Sequence, residues 1–382
     1  MGISGRTALK LGSSVGPRQT LDLSCRARRR GQAGYILATL GMMSIVLLAS
    51  TGLAVDFGTA YIIRNEAQSF CDAAALGAAL ELDGTVDGLS KARARALATP
   101  SKWGFSNTTF TGVVVEFATS SGGPWLSSPP VPLGIRYARV VAGANAPMIF
   151  LPLVTNEGIM GIQARAVAGQ VEKTSFTNGV FPFSPFAPDE DDANFGFQPG
   201  TSYTLLWPNN MNKHANVCAG DKDNEKVLQM KDDAGPNVQG YIDSNSASDI
   251  REAILTDEVH GNRSYTVGDP LFMANGNKQS TEKAMQDRVR QDTDTTSQSY
   301  VEYIASGGDK SGRRLVVVPV NKGPNDNYRV AGFALFFLGI PSDYETKPSD
   351  SYCAEYVGPA ILGGTNAGGN NGAGAYSVRL VQ

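Results

Sequence analysis

Histidine is almost missing from this chain. His214 and His260 are the only two among 382 residues, which leaves imidazole acid–base catalysis and His-rich metal centres little to draw on. His214 and Cys218, with His260 and Cys353, could in principle complete a tetrahedral site. Their separations match no ligand motif, and a loop histidine and a disulfide cysteine explain them better. No Ser/His/Asp set stands out from what any chain of this size contains, so no catalytic residue, cofactor or metal is expected, and the chain reads as a non-enzyme. Long apolar runs are equally scarce: Tyr35–Val55 is the only one. GFALFFLGI, near residue 335, is too short for a second span and reads as a buried strand. No repeat period is visible, and no feature asks for nucleic acid.

The remaining composition, 42% hydrophobic and 18% charged, is that of a chain able to bury a core. The net charge of −3 hides an asymmetry. Arg6, Lys10, Arg18, Arg26, Arg28, Arg29 and Arg30 precede the apolar run against the single acid Asp22, whereas Arg64 is the only base soon after it. A bilayer core takes about 20 apolar helical residues to cross, and cytoplasmic flanks carry the Lys/Arg excess. The expectation is a single-pass membrane protein. Residues 1–30 would form a basic cytoplasmic tail and residues 56–382 would lie outside. The run is too long for the core of a cleaved secretory signal, so it reads as an uncleaved signal anchor.

The helical pattern does not stop at the membrane edge. Ala60, Ile63, Ala67, Phe70, Cys71, Ala74 and Ala78 recur at three- and four-residue steps, and no proline interrupts Tyr35–Leu80. One helix through it would be about 70 Å long at 1.5 Å per residue. DGTVDG at 83–88 is the first convincing stop. Cys71 falls on this stripe, either as a small buried residue or, in a sharper alternative, as half of an intermolecular bridge.

GLAVDFGTAYIIRNEAQSFCDAAALGAAL resembles the signature of the TadE/TadG-like proteins of the Flp (tight adherence, Tad) pilus system. The matching positions are Gly31, Gly52 to Asp56, Tyr61, Gln68 and Asp72 to Leu76, within roughly residues 29–80. A weaker echo covers 136–169, where RYARVVAGANAPMIFLPLVTNEGIMGIQARAVAG is similar to the strand–short helix–strand that follows the anchor in such proteins. The resemblance implies a minor pilin-like or assembly component of the bacterial inner membrane, its body periplasmic or extracellular, partnered by the bilayer and by other Tad/Flp proteins or pilins, in homo- or hetero-oligomers. Helix packing through Gly52, Asp56, Tyr61, Gln68, Asp72 and Ala74 would carry the association. Asp56 could cap a partner helix or pair with a neighbour's basic residue; the plain alternative is an ordinary interfacial carboxylate. Two departures stand out. The prepilin-peptidase glutamate is lacking, since Ile36 and Thr39 stand five residues beyond Gly31 and Gly34. The metal-site string of a von Willebrand A domain is not matched at Asp243–Ala247, where Asp243 reads as a turn residue.

Beyond the helix the fold class is α+β. The pilin-like region at 31–82 would be followed by a small α+β domain at 83–175, with strands in TTFTGVVVEFATS, IRYARVVAGA and IMGIQARAVAGQVEK. A Pro/Phe/Asp-rich linker is expected at 176–200 and a β-rich domain at 201–382. The latter would hold strands in YTLLW, RRLVVVPV and RVAGFALFFLGI and a helix whose stripe is Ala284, Met285, Arg288 and Val289. Asp221, Asp223 and Glu225 resemble the start of a calcium loop without its glycine and final glutamate, and DEDD at 189–192 is a second acidic cluster; solvated loops are the favoured reading of both. Of the cysteines, Cys25 would face the cytoplasm, and Cys218 is the expected disulfide partner of Cys353. A membrane-tethered adhesion or ligand-binding module is the alternative function.

Overall fold

A computed structural model describes residues 30–99, 102–103, 108–208, 216–235, 237–242, 244–257, 264–276, 280–309, 312–323, 327–345, 351–362 and 374–381. The readings placed on Cys25, His214, Asp243 and His260 fall outside these residues. The chain divides into two compact units: residues up to Thr59 with Pro147–Gly158, and Ala60–Ala146 with Ile159–Gln382.

Helix α1 (Arg30–Leu80) is unbroken over 51 residues. Its N-terminal part belongs to the first unit, and from Tyr35 onward it is long and apolar enough to cross a membrane. Within it Ser44 and Thr51 donate to the carbonyls of Leu40 (2.8 Å) and Leu47 (2.7 Å) one turn earlier, so neither hydroxyl needs an outside partner. Apart from the helix, the first unit holds the tip of a β-hairpin, with the short helix α3 (Pro152–Thr155) inside it.

In the second unit α1 continues to Leu80 and is followed by helix α2 (Val86–Ala98). Two sheets carry this unit. The first has five strands. Strands β1 (Thr111–Ala118), β2 (Tyr137–Pro147) and β3 (Ile159–Glu172) continue into β11 (Ala375–Leu380) and then the short β10 (Ala360–Leu362). Along β2, Ala138, Val140, Ala142, Ala144 and Ala146 turn inward at alternate positions. Small inward residues let a helix lie close, and the outer part of α1 uses that space. Ala67, Cys71, Ala74, Ala75, Ala78 and Ala79 are all fully buried, Phe70 meets Phe110 at 5.1 Å, and Gln170 of β3 donates to the carbonyls of Ala79 (3.0 Å) and Leu82 (2.5 Å).

The second sheet is antiparallel and four-stranded, in the order β7 (Leu315–Lys322), β8 (Arg329–Leu338), β9 (Tyr352–Gly358), β4 (Ser202–Leu206). Its central strand β8 is buried on both faces: Ala334, Phe336 and Leu338 enter one core cluster, Phe333, Leu335 and Phe337 the other. That explains a continuous apolar run where a half-exposed strand would alternate. Helices α4 (Glu225–Ala234), α5 (Ala247–Thr256), α6 (Thr281–Arg290) and α7 (Tyr300–Ala305) complete the unit with a ribbon of β5 (Val238–Ile242) and β6 (Met273–Asn275). Arg288 lies on the buried stripe of α6 because its guanidinium closes the C-terminus of α5, donating to Ile254 O (2.7 Å) and Asp257 Oδ1 (2.5 Å).

The expected linker at 176–200 is core. Phe176, Phe181, Phe183, Phe186 and Phe197 are all essentially inaccessible, and Phe197 packs between Tyr203, Phe336 and Tyr356. The proposed boundary between 83–175 and 201–382 is likewise not a break, because β11 pairs antiparallel with β3, Tyr376 opposite Glu172.

Candidate functional site at the helix exit

Asp56 stands one residue beyond the apolar run and is almost completely buried. Its carboxylate accepts three consecutive backbone N–H groups from the hairpin tip: Ile149 at 2.9 Å, Phe150 at 2.8 Å and Leu151 at 2.6 Å. They belong to the turn that leads into α3, whose cap residue Leu151 has no side-chain cap hydrogen bond and whose first turn holds a proline. Burial pushes the Asp56 carboxyl up, but the three donors outweigh it and hold it below the ordinary aspartate range.

Gly52 lies one turn earlier on the same helix face. A Cβ there would sit 2.6 Å from Cγ of Phe150 and 2.8 Å from its Cβ, so only glycine leaves room for that ring. The G-L-A-V-D string therefore acts within the chain: Gly52 seats an aromatic side chain and Asp56 caps the backbone beside it. Of the two uses considered for Asp56, a contact with a partner and an ordinary carboxylate at the helix exit, the hairpin's three N–H groups favour one within its own chain.

Other positions of the motif lie in the second unit. Gln68 donates to Asp72 Oδ1 (2.8 Å) and to the Arg165 carbonyl of β3 (3.0 Å), binding helix to sheet. Ala74 faces the same seam with no exposed surface, so the expected association through the Ala face is corrected: small residues allow close approach, and here the chain's own sheet makes it. Cys71 is equally enclosed, and burial pushes its thiol up to about 11, as suits a small buried residue. Tyr61 is the exception, with 66% of its surface exposed.

Beside Gln68 and Asp72 the second unit opens a groove of about 760 Å³ lined by Arg64, Trp125, Arg139, Gln163 and Arg165 among others. Arg139 is held by Glu116 (2.6 Å) and lies 4.7 Å from the Trp125 ring centre. These residues come from separate strands and loops, and no local pattern announces them. Helix α2 was also missed, although Thr85, whose Oγ1 accepts from Gly88 N (2.9 Å), is a recognisable cap ahead of the buried Leu89, Ala92 and Ala96.

The other singled-out residues are structural. Cys218 and Cys353 form a disulfide with Cα atoms 5.7 Å apart. Asp221 turns inward to accept from Thr204 N (2.6 Å); burial pushes it up to about 6. Asn224 caps α4, accepting from Val227 N (3.2 Å). Asp192 is spent on the N–H groups of Asn194 and Gly196. Among the described residues no group of acidic, histidine or cysteine side chains is arranged to hold a metal ion.

An apolar helix that runs on into an α+β fold, with a hairpin tip capped where the apolar run ends, defines a helix-anchored protein. Residues 34–81 match the Tad family, described as "Putative Flp pilus-assembly TadE/G-like". The match covers the helix that carries Gly52, Asp56, Gln68 and Asp72, and it supports a role related to pilus assembly. No curated protein and no solved structure matches the chain.

The joint predicts its own test. In Asp56→Ala the amides of Ile149, Phe150 and Leu151 should lose protection in hydrogen exchange on the full chain in nanodiscs, and Gly52→Val should do the same by displacing Phe150. Unchanged protection in both variants would sink this account of the motif.

Proposed function

We propose that this protein is a non-catalytic, single-pass inner-membrane component that helps assemble or anchor a Flp/Tad-type pilus. Its N-terminus would lie in the cytoplasm and its α+β fold in the periplasm or at the surface. The family match over the anchor helix carries the reading. The basic flank before the span and a disulfide after it support the orientation, since disulfides persist in oxidising compartments. With Asp56 and Ala74 engaged inside the chain, exposed Tyr61 and the groove beside Gln68 and Asp72 are the motif surfaces open to other Tad/Flp proteins or pilins.

The test is deletion of the gene, then electron microscopy of surface fibres and a surface-attachment assay. Complementation should use the full chain, because truncation at residue 175 would strip β11 from the first sheet. Loss of fibres, restored by the full chain, is the expected result. Intact fibres with lost attachment would instead make a tethered adhesion module the better reading.

A further inference from the structure

The apolar run is not the only hydrophobic surface of the first unit. The hairpin tip reads Met148-Ile149-Phe150-Leu151-Pro152-Leu153-Val154-Thr155-Asn156 and carries no charge. Met148 is buried, whereas Ile149, Phe150 and Leu153 are left open. Ile149 is 70% exposed, Leu153 82% and Phe150 38%. Such a cluster facing water is costly and calls for a covering phase. On the neighbouring turn of α1, Val55 and Phe57 are also about half exposed, at 49% and 54%. The backbone of the tip is not free to choose its level. Three N–H bonds fix it to Asp56, the first residue past the run that crosses the bilayer.

We propose that the 148–156 tip is a second membrane-contacting element, which rests its Ile149, Phe150 and Leu153 side chains in the interfacial layer of the bilayer that α1 crosses. The inference rests on reading Tyr35–Val55 as a span. What selects lipid over a protein partner is continuity: the tip is fastened to the helix at the point where the lipid-facing surface ends, and it prolongs that surface with uncharged apolar side chains. Interfacial elements of this kind lie about 5–10 Å into the headgroup and acyl boundary. Asp56 then has a double use. It satisfies the backbone donors that an interfacial hairpin could not otherwise afford to expose to lipid, and it sets the depth at which the tip sits.

Single cysteines at Leu153, at Ile149, at Leu48 within the span and at Val301 on α7 test this in the full chain carrying Cys25→Ser. Cys71 is buried and should stay unlabelled. Each variant is labelled with an environment-sensitive fluorophore and reconstituted into phosphatidylglycerol/phosphatidylcholine vesicles. Quenching by brominated acyl chains is compared with quenching by aqueous iodide. The expected result is lipid quenching at Leu48, Leu153 and Ile149, strongest at the last two when the bromines are shallow, with iodide quenching at Val301 alone. Iodide quenching at Leu153 and Ile149 with lipid quenching at Leu48 would overturn the proposal while leaving the span intact. Quenching of the tip by neither agent would overturn it in favour of a protein contact. Absence of lipid quenching at Leu48 would remove the span, and the proposal with it.

Discussion

Arg314→Met should destabilise the second unit by about 3–5 kcal/mol, the loss expected when a buried charged group leaves its partners unpaired. The side chain is fully buried immediately before β7. Its guanidinium donates to Leu338 O (2.9 Å), Asp294 O (3.0 Å) and Ser297 O (2.6 Å), joining the end of β8 to the loop ahead of α7. It also lies 4.2 Å from the Phe337 ring centre. Exchanging a buried ion pair for apolar groups can be neutral when both charges go. Here the partners are mainly backbone carbonyls that no substitution can remove, and each orphan costs about 1–3 kcal/mol. The neighbouring Asp294 gives no relief. Hydrogen bonds from Ser297, Ser306 and Thr296 already hold its carboxyl far below the usual range. Arg314→Lys should recover only part of the loss, because an ammonium cannot present the planar fork that reaches three acceptors. Urea unfolding of the full chain in micelles, followed through buried Trp207, would show it; a loss below about 1 kcal/mol would mean that water replaces the guanidinium freely.

What could be read beforehand follows from which signals are local. The long helix was legible because one apolar run and one 3.6-residue stripe continue without proline. The strands ending in β8 were legible because β-branched and aromatic residues crowd into short runs. The Ala face shows where legibility ends. Ala74 and its neighbours announce a close approach, and the sequence has no means of saying whether the approaching surface is a second chain or a later strand of the same one. Asp56 carries the same ambiguity, since a carboxylate at a helix exit looks alike whether it caps a partner or its own chain. The 176–200 segment misled for another reason. Proline and aspartate suggested solvent, yet five phenylalanines in it fill the interior on an irregular path that shows neither period 2 nor period 3.6. The pairing of β11 with β3 was invisible, because contacts between distant segments leave no mark on local pattern.

Removing the disulfide, as Cys218→Ala with Cys353→Ala, is expected to cost about 2–5 kcal/mol. The two cysteines are 135 residues apart, and chain-entropy arguments give about 4.7 kcal/mol for a loop of about 100 residues. The position favours a large effect. Cys353 lies on β9 opposite Thr204 of β4, and Thr204 Oγ1 accepts from Cys218 N (3.1 Å). The bridge thus pins the loop before α4 onto the second sheet, beside buried Asp221. A reductant should lower the unfolding midpoint of the native chain by the same amount and leave the double variant unmoved. The same bond reports on topology. If residues 56–382 are exported, both thiols should resist maleimide in intact cells until a reductant is added. Free thiols at both positions in growing cells would place this region on the reducing side of the membrane, and the proposed orientation would then be reversed even though the fold stood.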